Sequence, residues 1–314
     1  MPLIKIDPDA YSYTESRVKD FPNVTAYIAI GGVDVGKTSF AISLSAYLLK
    51  MGYNVLFMDL DLGQSTIGLP TTISLGRASL DGEDFIRIDL VMSEFIGNNT
   101  PDGLEPLILS RFYKLLSLVP EDDNVKLVVD TCGYINSPRA LGYKRGIIES
   151  IPDRLTIVIS DRPWAKRFVD YTPGKRVILE PLPGAKRRDF QVRKERRESL
   201  LKEYFSTNLT LFYASIYLFY FPYPLLSLKE CLTDMLKYKW TIREEDLNGL
   251  IVGLKDRDGR FLGLGRVIEV TENNLLLETP VNFIREIRFI ELSKIRVDGQ
   301  YKETGKLLIF QKEE

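Results

Sequence analysis

Gly31-Gly32-Val33-Asp34-Val35-Gly36-Lys37-Thr38 fits the pattern G-x-x-x-x-G-K-[ST] in full, and its flanks suit it. The apolar run Ala26–Ile30 reads as a buried strand entering the loop. Thr38–Met51, with Phe40, Leu44, Tyr47 and Leu48 at helical spacing, reads as a helix leaving it and stopping at Gly52. Such a loop is chemistry for phosphate. Glycines let successive backbone N–H groups converge on an anion, and the helix N-terminus adds partial positive charge. Lys37 then reaches the β- and γ-phosphates of a nucleoside triphosphate, and the Thr38 hydroxyl ligates Mg²⁺. Gly32, Val33, Asp34, Val35, Gly36 and Ser39 complete the nucleotide cradle. Asp34 is unusual there, because a carboxylate beside triphosphate is repulsive unless it faces a backbone donor, the metal or the incoming substrate.

Two acidic strand ends follow. Asp59-Leu60-Asp61-Leu62-Gly63-Gln64 closes the apolar strand Val55–Leu60, and alternation predicts Asp59 and Asp61 on one side, at the edge where the loop sits. One carboxylate there can hold magnesium through water, and the other can accept a proton from an attacking hydroxyl. Asp130-Thr131-Cys132-Gly133 closes the strand Lys126–Asp130, and a hydrophobic strand ending in aspartate is the usual magnesium-side acid of phosphate-loop enzymes. Asp59 and Asp130 are both candidates for the metal, and capping of a turn is the bland alternative for either aspartate of the first pair. With no histidine in the chain, a general base must be a carboxylate or, failing that, a lysine, tyrosine or cysteine.

The elements that must position these groups alternate. Strands at Ala26–Ile30, Val55–Leu60, Lys126–Asp130 and Leu155–Ser160 are interleaved with helical stretches such as Glu105–Leu118 and Arg139–Ser150. That pattern predicts an α/β fold, a parallel sheet with helices on both faces. Past Glu203–Thr207 the texture changes to strand-like pieces, Gly249–Leu254, Arg260–Val270, Asn274–Thr279 and Lys306–Phe310, separated by turn residues. A smaller β-rich domain, a partly open barrel, is expected there. The predicted division is an extended lead-in over 1–22, a phosphate-loop domain over 23–206, and the β-rich domain over 207–314.

Composition excludes several classes. The 314 residues carry a net charge of −1, so attraction for nucleic acid must come from local clustering. Cys132 and Cys231 are the only cysteines, which implies no disulfide framework, disfavours structural zinc and suits a reducing cytoplasm. The run Leu209–Leu226 is apolar, but its tyrosines, Ser215 and two prolines argue for buried strands at a domain junction and against a membrane span. A cytoplasmic protein with no membrane contact is expected.

Taken together, these residues resemble the polynucleotide 5′-hydroxyl kinase family, which includes subunits of mRNA-cleavage and ribosomal-RNA-processing complexes. The loop has the family's aspartate two before its last glycine, and the strand end reads D-L-D-L-G-Q. Gly97–Gly103 looks like the family's substrate clasp, with Thr100-Pro101 at its centre and Asn99 where a second threonine is common. Asp130–Tyr134 resembles a block of T-x-G followed by an aromatic. Lys186–Phe205 is similar to the arginine-bearing lid, here placed at about 185–205. The likeness covers residues 24–206 and extends more loosely through Gly249–Gly265.

The resemblance implies transfer of the γ-phosphoryl group of ATP or GTP, with Mg²⁺, to the 5′-hydroxyl of a nucleic acid, RNA being favoured, and RNA-processing partner proteins. It implies Asp61 as the base, charge stabilisation by Lys37 and by a lid arginine, either Arg188 or Arg193, and Gln64, Thr100 and Pro101 against the terminal nucleotide. A basic segment spans Arg154–Lys202 and includes Arg162, Lys166, Arg167, Lys175, Arg176, Arg193, Lys194, Arg196 and Arg197. It suits a polyanion substrate, although Glu195 and Glu198 could pair with some of it. Trp164, after the strand Leu155–Ser160, is a candidate to stack on a nucleobase or simply to pack. The competing expectation is a non-catalytic or switch-type nucleotide-binding subunit of an RNA-processing complex.

Overall fold

The computed structural model describes residues 3–21, 23–185, 189–222, 225–228, 240–241, 246–271, 273–307 and 310–311. They form two compact units. The first comprises Met1–Gly68, Thr72–Ser93 and Thr100–Asp189, and the second Leu69–Thr71, Glu94–Asn99 and Phe190–Glu314.

The first unit holds an eight-stranded sheet. Its strands are β1 (Ile4–Lys5), β2 (Ala26–Gly31), β3 (Asn54–Leu60), β4 (Thr72–Asp81), β5 (Phe85–Phe95), β6 (Val125–Thr131), β7 (Arg154–Ile159) and β8 (Lys175–Leu179), in the order β1-β5-β4-β3-β6-β2-β7-β8. The run β3-β6-β2-β7-β8 is parallel throughout. Every residue of β2 and β7 is buried, the continuous apolar reading that two covered faces demand. The helices are α1 (Pro8–Val18), α2 (Lys37–Lys50), α3 (Glu105–Leu116), α4 (Pro138–Glu149) and α5 (Pro163–Asp170). Tyr27, Phe40, Leu44, Phe57, Val128 and Ile157 lie at the centre of the core.

Two features depart from the expected parallel sheet with a bare lead-in. β4 pairs antiparallel with β3, so the sheet is mixed and β3 is interior. The β4–β5 hairpin has one wet face. Ile86 and Ile88 point inward while Phe85, Arg87 and Asp89 are exposed, and that half-polar texture hid it beside the apolar strands. The residues expected to be extended before Val24 contain α1. Asp7 Oδ1 accepts from the amides of Asp9 (2.9 Å) and Ala10 (3.2 Å), and Pro8 sits in the first turn. Ala10, Thr14 and Val18 supply its buried stripe, and Tyr11 meets Tyr47 of α2 edge-on at 6.5 Å.

The second unit is built on α6 (Phe190–Tyr204) and a second sheet. Its strands are β9 (Thr210–Ser215), β10 (Phe219–Pro222), β11 (Leu225–Ser227), β13 (Leu250–Lys255), β14 (Phe261–Val270), β15 (Asn274–Thr279), β16 (Phe289–Val297) and β17 (Glu303–Lys306). The order is β11-β10-β16-β13-β14-β15-β9, with β17 on β16, while β12 (Trp240–Thr241) pairs separately with β18 (Phe310–Gln311). β16 lies in the middle of the sheet but gave no apolar signal, because its interior includes Glu291 and Ser293. Glu291 meets Lys255 at 2.9 Å with both side chains buried. Of the strand expected at Lys306–Phe310, Leu308 and Ile309 lie outside the described residues.

The described residues of Leu209–Leu226 lie mostly in β9, β10 and β11 but are not wholly buried, and Tyr223 and Pro224 lie outside the described residues. Leu211 and Tyr213 are 61% and 63% exposed, while Ala214, Phe219 and Phe221 face the core. Among the described residues no helix is long and apolar enough to cross a membrane. α6, read from the sequence with the first domain, belongs to the second unit because its apolar residues pack there. Leu201 and Phe205 join Phe95, Ile251, Leu264, Ile295 and Val297, and the Tyr204 hydroxyl accepts the Leu264 amide (2.9 Å).

Candidate functional site

The phosphate loop joins β2 to α2 as the sequence requires. Gly36 is the N-cap of α2, with φ of 90° and no capping side chain. A side chain there would be strained, and its Cβ would lie 2.8 Å from Leu182 Cβ. Leu182 itself follows β8 and donates its amide to the Val35 carbonyl (3.1 Å). The first amides of α2 thus end beside a turn held by backbone alone, the arrangement that receives phosphate. Asp34 takes φ of 60°, in the left-handed region that aspartate tolerates. Lys37 is buried and lies back along the loop, donating to the Gly32 carbonyl (2.5 Å). Burial pulls its pKa down, and Asp130 and then Asp61 pull it back up. The ammonium therefore shares one electrostatic neighbourhood with both acidic strand ends.

Register brings those ends together. β3, β6 and β2 align Asp59 with Asp130 and Asp130 with Ala29. The Thr38 hydroxyl donates to Asp130 Oδ2 (2.6 Å), while Asp130 Oδ1 is buried with no hydrogen-bond partner. Burial, then the neighbouring Asp59 carboxylate, pushes Asp130 up to about 7, against the opposing pull of Lys37 and Thr38. A buried carboxylate oxygen with nothing to accept, next to a hydroxyl, is the donor set a hard divalent cation takes up alongside phosphate oxygens. Mg²⁺ fits these residues. No cluster of three or more acidic or cysteine side chains among the described residues offers a self-contained metal cage.

Asp59 is occupied differently. Its Oδ1 accepts the Asp61 amide (2.9 Å), and its Oδ2 accepts the Ser65 hydroxyl (3.0 Å) and the amides of Thr66 (2.6 Å) and Ile67 (3.3 Å). Those donors hold the Asp61–Gly68 turn. Burial still pushes Asp59 up to about 6, the amide bonds working against it. β3 ends at Leu60, so Asp61 stands just past the strand and is half-exposed. It holds the amides of Gly63 and Gln64 (both 3.0 Å) with the single oxygen Oδ1.

The clasp segment follows β5. Pro101 is buried, Thr100 half-buried, and the Leu104 amide donates to the Pro101 carbonyl (2.8 Å). A network that the sequence did not foretell ties it to the loop after β6 and to α4. The Tyr134 hydroxyl bonds Asp102 Oδ1 (3.0 Å) and Glu105 Oε1 (2.9 Å), and Arg139 bonds Glu105 Oε2 (2.9 Å). Only the aromatic after T-x-G hinted at it. Thus Gln64, Thr100 and Pro101 lie in the same unit as Lys37, Thr38, Asp61 and Asp130.

Of the lid arginines, Arg188 lies outside the described residues, as do Lys186 and Arg187, and Arg193 lies on α6 in the second unit. Part of the basic segment is committed to structure. Buried Arg197 grips Glu303 through Nε (2.6 Å) and Nη2 (3.0 Å), Lys194 pairs with Glu198 (3.6 Å), and Lys175 with Asp153 (3.4 Å). Lys166 and Arg167 on α5 are exposed. Trp164 is half-buried and packs edge-on against Phe168 at 6.0 Å.

A family model described as mRNA cleavage and polyadenylation factor CLP1 P-loop matches residues 31–207. A polyribonucleotide 5′-hydroxyl-kinase of Methanocaldococcus jannaschii is 30% identical, the alignment covering 93% of this chain and 92% of that protein. One of Pyrococcus furiosus is 24% identical, covering 95% of both. A CLP1 homolog of Drosophila mojavensis is 28% identical over 59% of this chain and 46% of its own. Among solved structures, a wild-type Clp1p–Pcf11p complex shares the fold with a TM-score of 0.66 at 18% identity, covering 91% of this chain and 78% of the other.

Proposed function

Since the chain belongs to the CLP1 P-loop family, we propose that it is a polynucleotide 5′-hydroxyl kinase acting on RNA. The observation that carries this reading is the convergence of Lys37, Thr38, Asp130 and Asp61 on one phosphate loop. That relatives of near-equal length are named polyribonucleotide 5′-hydroxyl-kinases supports RNA as the acceptor.

In this reading the amides of the loop and of α2 bind the triphosphate tail, and Lys37 leaves the Gly32 carbonyl for the β- and γ-oxygens. Thr38 and Asp130 would hold Mg²⁺, which would offset charge on the phosphate oxygens, while Asp59 keeps the Asp61 turn in shape. Gln64, Thr100 and Pro101 seat the terminal nucleotide of the RNA. Its 5′-oxygen attacks the γ-phosphorus in line as the bond to the β–γ bridging oxygen breaks, and the nucleoside diphosphate departs with that electron pair. The hydroxyl proton passes to Asp61. Arg188 or Arg193 stabilises the transferring oxygens; positioning and charge stabilisation are nearly the whole of such catalysis. RNA-processing partner proteins belong to the same proposal, motivated by the complex in which the related Clp1p was solved.

The test is incubation with γ-labelled ATP or GTP, Mg²⁺ and a 5′-hydroxyl oligoribonucleotide. Label on the oligonucleotide is the expected result. Free labelled phosphate alone would mean a hydrolytic switch, and no turnover with intact nucleotide binding would mean a scaffold; either overturns the kinase.

A further inference from the structure

Lys144, on α4, is fully buried, and nothing in the reaction above uses it. Its Nζ donates to the Cys132 carbonyl (2.8 Å) and lies 3.3 Å from Cys132 Sγ. It makes no ion pair with a carboxylate among the described residues. An ammonium withdrawn from water costs several kcal/mol unless an anion accompanies it. The Cys132 carbonyl, the Cys132 sulfur and the Tyr143 ring, whose centroid lies 5.1 Å from Nζ, offset part of that cost, and an anion arriving nearby would offset the rest.

The phosphate loop is where such an anion binds, and the charge of Lys144 reaches it, pushing the Lys37 pKa down. The carbonyl that Lys144 grips belongs to the peptide joining Cys132 to Gly133. That unit is planar, so a carbonyl held toward α4 turns the Gly133 N–H the opposite way. Gly133 in turn is pressed on the phosphate loop. A Cβ there would lie 2.6 Å from Val33 Cγ2 and 2.8 Å from Val33 N.

We infer that Lys144 is a positioning residue for phosphoryl transfer. Its buried ammonium locks the Cys132–Gly133 peptide against the phosphate loop, and the triphosphate supplies a full negative charge where the fold sets only a carbonyl, a sulfur and the Tyr143 ring against it. The inference rests on triphosphate binding at the loop and is independent of which acceptor is phosphorylated.

The test compares wild type with Lys144→Met, which removes charge and donor, Lys144→Gln, which keeps a donor without charge, and Lys144→Arg. Thermal midpoints are read with and without MgATP, and kcat and KM on an RNA acceptor are measured separately. Both neutral variants should keep or raise the nucleotide-free midpoint, lose most of the MgATP-induced rise, and lose about a hundredfold in kcat with acceptor KM little changed. Lys144→Arg should recover part of the MgATP-induced rise. A lowered nucleotide-free midpoint with a wild-type MgATP effect would overturn the inference and leave Lys144 a packing residue. Should Lys144→Met not fold, Lys144→Gln carries the comparison. The midpoint readout stands even if wild type phosphorylates no oligonucleotide, so failure of the kinase reading is told apart from failure of this one.

Discussion

Replacing Asp130 by asparagine should stabilise the nucleotide-free protein while removing its use for magnesium. Asp130 is 1% exposed and its carboxyl is pushed from 3.8 up to about 7, first by burial and then by Asp59. Between those values the native state keeps a proton that the unfolded chain has released. Stability therefore falls as pH rises through the window, by about 1.4 kcal/mol per pH unit for one such group. Across the full span this is roughly 4 kcal/mol as a ceiling. Asparagine does not titrate and can still accept the Thr38 hydroxyl. Asp130→Asn should thus match wild type near pH 4 and exceed it increasingly up to about pH 8. Asp59, pushed up to about 6, contributes a slope of the same sign over a narrower window in both proteins, and because its charge helps raise Asp130 the difference reads Asp130 together with that coupling. Urea unfolding followed by circular dichroism, with chelator present and nucleotide absent, measures that difference directly. A gap that does not change with pH, or one that closes as pH rises, would refute the account of Asp130 as a buried acid awaiting a cation.

Asp61→Asn should leave triphosphate affinity unchanged in calorimetry and lower transfer by about 10²–10⁴, whereas Lys37→Ala should weaken the triphosphate affinity itself. Arg188→Ala and Arg193→Ala should differ sharply. The arginine that reaches the transferring oxygens should cost about 10³–10⁵ in rate, and single-turnover transfer would identify it. Log RNA affinity should fall with log salt at a slope near −0.7 per backbone contact. Because Arg197, Lys194 and Lys175 are held by Glu303, Glu198 and Asp153, charge reversal at exposed Lys166 and Arg167 should reduce that slope more than neutral changes at the paired positions.

The parts of this protein that were legible in its sequence are those where one physical demand acts alone. A strand buried on both faces must be apolar throughout, so β2, β3, β6 and β7 showed themselves, as did the glycine loop and the aspartates closing β3 and β6. Elements serving two demands were hidden. The β4–β5 hairpin alternates wet and dry residues, α1 buries only Ala10, Thr14 and Val18, and β16 buries Glu291 against Lys255. Which aspartate faces Thr38 was open in the sequence, since both follow apolar strands. The register and the donors around each carboxylate separate them: Asp59 is filled by amides and the Ser65 hydroxyl, and Asp130 is not. Lys144 left no trace, because a lysine in a helix ordinarily lies at the surface.

The antiparallel addition of β4 to β3 has a bearing on how this site moves. The strand that ends in the Asp59 turn is laced on one flank to β6 and on the other to β4, so its amides are all tied, each into one ladder or the other, and freeing the whole strand requires both ladders to part. Deuterium uptake along Val55–Leu60 should accordingly be among the slowest in the first unit, while the turn from Asp61 to Gly68 exchanges early. Breathing of the nucleotide site would then be confined to its loops, with the floor beneath the carboxylates staying shut until that unit unfolds as a whole.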